Sequence, residues 1–452
     1  MEYRFKAILQ SEGWIENAAI ETDGAGMIVS IEEDANGSTA GFAIPGFRNC
    51  HSHAFQYAMA GLAERHDRSS GRDDFWGWRD TMYRLALSLD PDQVEAIAAM
   101  LYSELVRHGY THVCEFHYLH HDKDGRPYAN LAEMGERLIA AAETAGINIT
   151  LVPIFYQKGG FGTDPLPEQR RFISRSIDEY ERLIEASAKA VARTGGARLG
   201  VGVHSLRAVA PDDVVAAATL RSELPFHIHI SEQLREVDDC IEVLGARPVE
   251  WFLDNVDVSD RFNLVHATHV NEGEVKTLAV RGANVVLCPS TEGNLGDGIF
   301  PLRDFQDAGG RWSIGTDSHV GLNPFEELRL LDYGQRLTTH RRDIFTGESD
   351  SSAENAIRSA ARAGWNATGE DSEDYFEVGK PLNACVIRDD HPLVSTVSGK
   401  ELLDRVTYAS DPSIIRCTIA NGRRLSERGG HVRYEAIARQ YLDSVRRIRP
   451  QI

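Results

Sequence analysis

The sequence predicts an α/β chain, a (β/α)8 barrel of the TIM type carrying a small β-sandwich made from both chain ends. Three observations predict it. Between residues 42 and 316, eight short apolar runs alternate with helical stretches, the pattern of strands in a parallel sheet. Runs of period-two alternation flank this region on both sides. His- and Asp-bearing motifs fall at the ends of the apolar runs, where such a barrel carries its chemistry.

In chain order, residues 1–45 alternate apolar and polar around the turn Asp23-Gly24-Ala25-Gly26. So small an antiparallel sheet cannot bury a core alone. Its partner is expected between Val378 and Leu425, where Asn383–Arg388 and Ile415–Ile419 are strand-like and Asn421-Gly422 marks a turn. The barrel strands are expected at Phe42–Cys50, Tyr110–His117, Ile147–Ile154, Arg198–His204, Pro225–Ile230, Phe262–His266, Asn284–Cys288 and Arg311–Thr316. One helix is fully punctuated: Asp90 caps it, Pro91 suits its first turn, Gln93 completes a capping box and Gly109 ends it. Further helices are expected at Asn130–Ala145, Pro167–Arg193, Pro211–Leu220, Asn271–Arg281, Pro324–Arg336 and Ser352–Ala363. The expected organisation is residues 1–45 plus 378–430 as a split β-sandwich, 46–377 as the barrel, and 431–452 as a C-terminal helix. No GxGxxG or GxxxxGK[ST] follows a strand, so the dinucleotide and P-loop readings lose their main support.

Composition narrows the partners. The 452 residues carry a net charge of −20, which argues against nucleic acid and anionic membrane, since both reward clustered Lys and Arg. An anionic substrate must then be bound by local charge. No apolar run approaches the roughly 18 residues of a membrane span, and the start lacks the layout of a secretion signal. The six scattered cysteines read as reduced, buried thiols in a cytoplasm.

The first strand ends in Arg48-Asn49-Cys50-His51-Ser52-His53. Residues i and i+2 of a strand face one side, so His51 and His53 can both point into the barrel mouth. The fifth ends in His227-Ile228-His229-Ile230-Ser231-Glu232, the sixth in His266-Ala267-Thr268-His269 and the eighth in Thr316-Asp317-Ser318-His319. Each motif alone also reads blandly, as a hydrogen-bonded strand-end His or a helix-capping Asp. Four together at one barrel face point to one metal site. Three imidazoles and a carboxylate suit Zn2+, with Fe2+ as the second choice.

Taken in order, PGFRNCHSH, HIHISE, LVHATH and GTDSH resemble the motifs of the amidohydrolase superfamily over nearly the whole chain. The resemblance implies His51, His53, His229 and Asp317 as metal ligands, with His266 near the bound water or substrate. Two-metal members carry a carboxylated Lys at the end of the fourth strand; here Arg198–His204 contains none. Glu232, three residues after His229, matches instead the mononuclear deaminase branch. The implied chemistry is hydrolytic. A divalent ion lowers the pKa of bound water from 15.7 to about 7, Asp317 accepts the water's proton, Glu232 shuttles it to the leaving nitrogen, and His266 steadies the developing charge. Glu232 could otherwise be a carboxylate placed by the dipole at a helix N-terminus.

Ring-deaminating members want stacking aromatics and amides at the strand ends. Here the fourth strand continues into His204-Ser205-Leu206-Arg207, the second ends at Phe116-His117-Tyr118, and the first is followed by Gln56 and the run Asp74-Phe75-Trp76-Gly77-Trp78-Arg79. Two Arg anchors with Tyr118 and His204 fit an acyclic dicarboxylate, because guanidinium binds carboxylate bidentately. HSHAFQ, FWGWRDTMYR, EFHYLHH, GVHSLRAV, HIHISEQ and CPSTEGNLGDG further resemble the formiminoglutamate deiminases. That resemblance implies hydrolysis of N-formimino-L-glutamate to N-formyl-L-glutamate and ammonia, with Gln56, Arg79, Tyr118, His204 and Arg207 at the substrate. It also implies a cytoplasmic homodimer. Glu292 or Asn294 of the CPSTEGNLGDG loop either faces the ligand or only shapes the loop. The competing readings are a deaminase or chlorohydrolase of a heteroaromatic ring, and a metal-binding scaffold without catalysis.

Overall fold

The computed structural model describes residues 1–35, 37, 40–62, 64 and 75–448. Asp74 of the Trp-rich run and residues 449–452 of the C-terminal segment lie outside them.

Eight parallel strands form the barrel: β1 (Phe47–Ser52), β2 (Tyr110–His117), β3 (Asn148–Phe155), β4 (Ala197–Leu199 and Val201–Val203), β5 (Phe226–Ile230), β6 (Phe262–His266), β7 (Asn284–Leu287) and β8 (Arg311–Ile314). They are hydrogen-bonded in sequence order. The ring closes beyond the end of β8, where Asp317 N–H donates to the His51 carbonyl (3.0 Å) and His53 N–H to the Asp317 carbonyl (3.2 Å). Closure and the metal motifs thus share the same residues. β2 and β3 are buried along their whole length, as strands packed on both faces must be.

The chain ends build two further sheets. One has the order Arg423–Arg424, Ile415–Ala420, Ala384–Ile387, Phe42–Pro45, Ala7–Gln10, Gly13–Glu16, and the other pairs Glu2–Arg4, Ala19–Thr22 and Ile28–Glu32. Alternation decides which side each residue serves. Ala43, Ala384, Val386, Cys417 and Ile419 join Tyr3, Phe5, Ile8, Ile20 and Ile28 in the core between the two sheets. Phe42, Ile44, Cys385, Ile387 and Ile415 face the barrel core. The expected turns form as written: the Asp23 carboxylate accepts the Ala25 and Met27 N–H groups (2.9 Å each), and Asn421 and Gly422 both take positive φ.

Three expectations need correction. Phe42–Cys50 is not one strand. Gly46 N–H bonds the Asn383 carbonyl of the β-sandwich, while the next N–H, of Phe47, bonds Gly109 beside β2, so the chain changes sheets between them. A side chain at 46 would collide with Thr111 at 2.3 Å, which is why the crossing residue is Gly. The expected strand Arg198–His204 is interrupted at Gly200. The expected helix Pro167–Arg193 is helical only over Ile177–Val191, capped by Ser176. Its first part is a short 3-10 turn, Pro167–Gln169, and then chain that buries Gln169 and Arg171 completely.

The helix Pro91–Arg107 has the expected reciprocal capping box between Asp90 and Gln93. The C-terminal helix spans Tyr434–Ile448 and packs on it. All six cysteines are buried free thiols. No helix among the described residues is long and apolar enough to cross a membrane.

Candidate active site

His51 and His53 leave β1, His229 lies in β5, and Asp317 follows β8. Their ligand atoms converge. His51 Nε2 is 3.1 Å from His53 Nε2 and 3.0 Å from His229 Nε2, and Asp317 Oδ1 is 3.3 Å from His53 Nε2 and 3.6 Å from His51 Nε2. Backbone carbonyls set the tautomers. His53 Nδ1–H donates to Phe116 O (2.9 Å) and His229 Nδ1–H to His204 O (3.0 Å), so both Nε2 atoms are bare lone pairs turned toward one another. Burial holds the imidazoles neutral: His53 is pushed down to about 3, and His51 and His229 fall well below the usual range. Two bare lone pairs converging with the His51 ring and a carboxylate oxygen fit a divalent cation.

The strands aim these groups with strained backbone. Of eleven non-glycine residues at positive φ among the described residues, Ser231, His266, Ala267, Asp317 and His319 lie at the ends of β5, β6 and β8. Such conformations cost about 1–3 kcal/mol each and persist where the surroundings over-determine them.

Glu115 on β2 supports the β1 exit. Its carboxylate accepts from Ser52 Oγ (2.6 Å), Ala54 N (2.6 Å) and Tyr102 OH (3.0 Å), on either side of His53. Glu115→Ala leaves these buried donors without their acceptor. The variant is expected to lose about 2–4 kcal/mol of stability and part of its metal, as read by thermal unfolding and elemental analysis. His319 of the last motif is structural: its ring bridges Thr316 Oγ1 (2.8 Å) and Ser52 Oγ (3.3 Å), tying β8 to β1.

His266 ends β6 with Nε2 facing Asp317 Oδ2 (3.5 Å) and Glu232 Oε1 (3.9 Å), and Nδ1 facing Glu292 Oε1 (3.2 Å). Burial alone would lower its pKa; the Glu292 hydrogen bond and the charges of Glu232 and Asp317 override this and raise it to about 10. Burial, helped by Glu232 and Glu292 against the pull of His266, raises Asp317 to about 7. Glu292 therefore faces the site; it also caps Cys288 N–H (2.8 Å). Asn294 instead points outward to Glu64. Cys288 forms a second possible cluster with His266 and the same Asp317. Burial raises its thiol well above the ordinary range, so that cluster lacks a thiolate.

Next to this centre lies a cleft. All five residues expected at the substrate line it: Gln56, Arg79, Tyr118, His204 and Arg207. Gln56 donates to Tyr118 OH at 3.0 Å. Arg207, partly buried, lies beside Glu232 Oε2 (3.3 Å) and near Glu236. The Arg79 guanidinium lies 5.4 Å over the Tyr83 ring. The cleft thus joins the carboxylates around His266 to the guanidiniums of Arg207 and Arg79, with Glu232 between His266 and Arg207.

Sequence reasoning missed Tyr83, Tyr156 and Phe172 in the cleft wall, and Glu236 and Asp297 behind it. Tyr83 and Trp78 were within reach, since both lie in or beside the quoted FWGWRDTMYR run. Asp297 was likewise within reach, inside the CPSTEGNLGDG motif; it accepts from Gln233, and burial with nearby Glu232 raises it to about 9.

The model of the amidohydrolase family matches residues 42–425. The formimidoylglutamate deiminase of Pseudomonas aeruginosa is 43% identical over 440 residues, 96% of each chain. A 5-methylthioadenosine/S-adenosylhomocysteine deaminase of Natronomonas pharaonis is 28% identical over 85% of this chain and 81% of its own. A solved amidohydrolase structure from Brucella melitensis superposes with a TM-score of 0.93 at 40% identity, covering 98% of both chains.

Proposed function

The chain belongs to the amidohydrolase family, and on that premise we propose that it hydrolyses N-formimino-L-glutamate to N-formyl-L-glutamate and ammonia. The observation that carries this reading is the cleft in which the guanidiniums of Arg207 and Arg79 line the same space as His53, His229 and Asp317 of the candidate metal cluster. A zwitterionic substrate, amidinium at one end and carboxylates at the other, matches that polarity. Tyr118, Tyr156 and Phe172 would also stack on a ring, but a neutral heteroaromatic base offers no carboxylate for the guanidiniums of the cleft to bind.

His51, His53, His229 and Asp317 would hold one divalent ion, zinc by the softness of the donors and iron(II) as second choice. The ion supplies an acidified water and a polarised electrophile. The residues do the rest. Asp317 keeps Oδ1 toward the imidazoles and offers Oδ2 to the water's proton. Glu232, between His266 and Arg207, carries that proton to the imino nitrogen. The added hydroxyl then gives its remaining proton to Asp317, the C–N bond to that nitrogen breaks as the new C=O forms, and ammonia leaves. His266, positively charged among its carboxylates, stabilises the oxyanion that develops at the attacked carbon. Gln56, Arg79, Tyr118, His204 and Arg207 bind the substrate carboxylates and fix its reach to the metal.

Metal analysis of the active protein is expected to find one ion per chain; two would contradict a single site. The reading itself is tested by ammonia release from formiminoglutamate, guanine, cytosine and N-formylglutamate. Turnover of formiminoglutamate alone supports it, and turnover of a ring in its place overturns it.

A further inference from the structure

Gln169 ends the 3-10 turn Pro167–Gln169 and is completely buried. Its Oε1 accepts the Leu166 N–H at 2.7 Å, which fixes the orientation of the amide. The NH2 group must then face the opposite way, and it donates to Tyr83 OH and Tyr156 OH at 2.9 Å each. A phenol oxygen that accepts from an amide keeps its own proton to give elsewhere. Both phenols line the cleft, where those protons can be given.

The surroundings of this pair are cationic. Arg79 lies over the Tyr83 ring, and the Arg207 charge acts on both phenols. The His204 ring stands between the pair and the metal cluster, 4.6 Å from Tyr156 and 4.9 Å from His229. Phe172 packs on Tyr83 (6.0 Å) and Tyr156 (5.6 Å) and holds both rings in place.

We propose that Tyr83 and Tyr156, oriented by Gln169, form a second carboxylate subsite that reads the substrate's side-chain carboxylate and so sets its length and charge. The inference rests on the reaction proposed above and adds to it the residues that select a dicarboxylate. Tyr83 and Tyr156 bind; Gln169 is a positioning residue.

Gln169→Glu is the sharpest probe. It is nearly isosteric and keeps an acceptor for Leu166 N–H. Its second oxygen, however, accepts phenolic protons where the amide donated, drawing them out of the cleft. Kinetics of Gln169→Glu and of the Tyr83→Phe/Tyr156→Phe double variant are compared on N-formimino-L-glutamate and on N-formimino-L-2-aminobutyrate, which lacks the side-chain carboxylate. Both variants are expected to raise KM for formiminoglutamate by roughly ten- to a hundredfold, with kcat changed little. On the truncated substrate they should match the wild type, so the preference for the dicarboxylate collapses. Equal losses on both substrates would mean a packing role and overturn the proposal, as would a Gln169→Glu enzyme with wild-type kinetics. Calorimetric binding of glutarate separates this subsite from the reaction. A wild-type chain inert toward formiminoglutamate contradicts the proposed function. The subsite still stands if glutarate binds and Gln169→Glu weakens it by about tenfold, and falls if Gln169→Glu binds it equally well.

Discussion

Replacing Glu232 by Gln should lower kcat by about 10²–10⁴ while leaving one metal per chain. The carboxylate sits 3.9 Å from His266 and 3.3 Å from Arg207, beside the metal cluster and outside it. Gln preserves the side chain's volume and its hydrogen bond to Arg207, so the fold and the ligand geometry have no reason to change. What it removes is the group that takes a proton at one moment and returns it to nitrogen at the next. Without that transfer the leaving group is an amide anion, which neutral water does not support. Stopped assays and elemental analysis on the same sample check both halves. Loss of metal in the variant would make Glu232 a ligand, and retained turnover would place the shuttle elsewhere.

Arg207→Met should cut kcat/KM by about 2–5 kcal/mol, on the order of 30- to 5,000-fold, as when a buried ion pair loses a partner. The partly buried guanidinium lies 3.3 Å from Glu232 and within the field of Glu236, and these charges raise its pKa against the opposing effect of burial. Met keeps the length and apolar contacts and deletes the cation. Two consequences compound. The substrate carboxylate loses its partner, and Glu232 loses the guanidinium that positions it 3.3 Å away. Steady-state kinetics should show both a higher KM and a lower kcat. A variant with wild-type kcat/KM would contradict the assignment of Arg207 to the substrate and favour a neutral ring in the cleft.

These residues were legible because ligand chemistry in a barrel is written locally. His51 and His53 are two apart on one strand, Glu232 follows His229 by three, and each motif ends an apolar run. The alternation that sorts Ala43 from Phe42 and Val386 from Ile387 between two cores was equally readable. Other features depend on tertiary approach. The break at Gly46 follows from which carbonyls its neighbours meet, Asn383 and Gly109, both remote in sequence. Tyr83, Tyr156 and Gln169 come from a helix, a strand end and a turn, and nothing in their spacing marks them as one network. The strand-end residues at positive φ are His, Ala, Ser and Asp, with no glycine to announce them. The helix expected at Pro167–Arg193 failed for a related reason: the buried Arg171, which donates to Ala86, Leu89 and His121 carbonyls, pins that stretch as an extended bridge.

The central claim is which C–N bond is cleaved. Carbon-13 NMR of the metal-loaded protein with substrate labelled at the formimino carbon follows that atom directly. The account predicts the label in N-formylglutamate, with one ammonia released per turnover. Label appearing in formamide alongside free glutamate, or remaining in unreacted substrate, would contradict it.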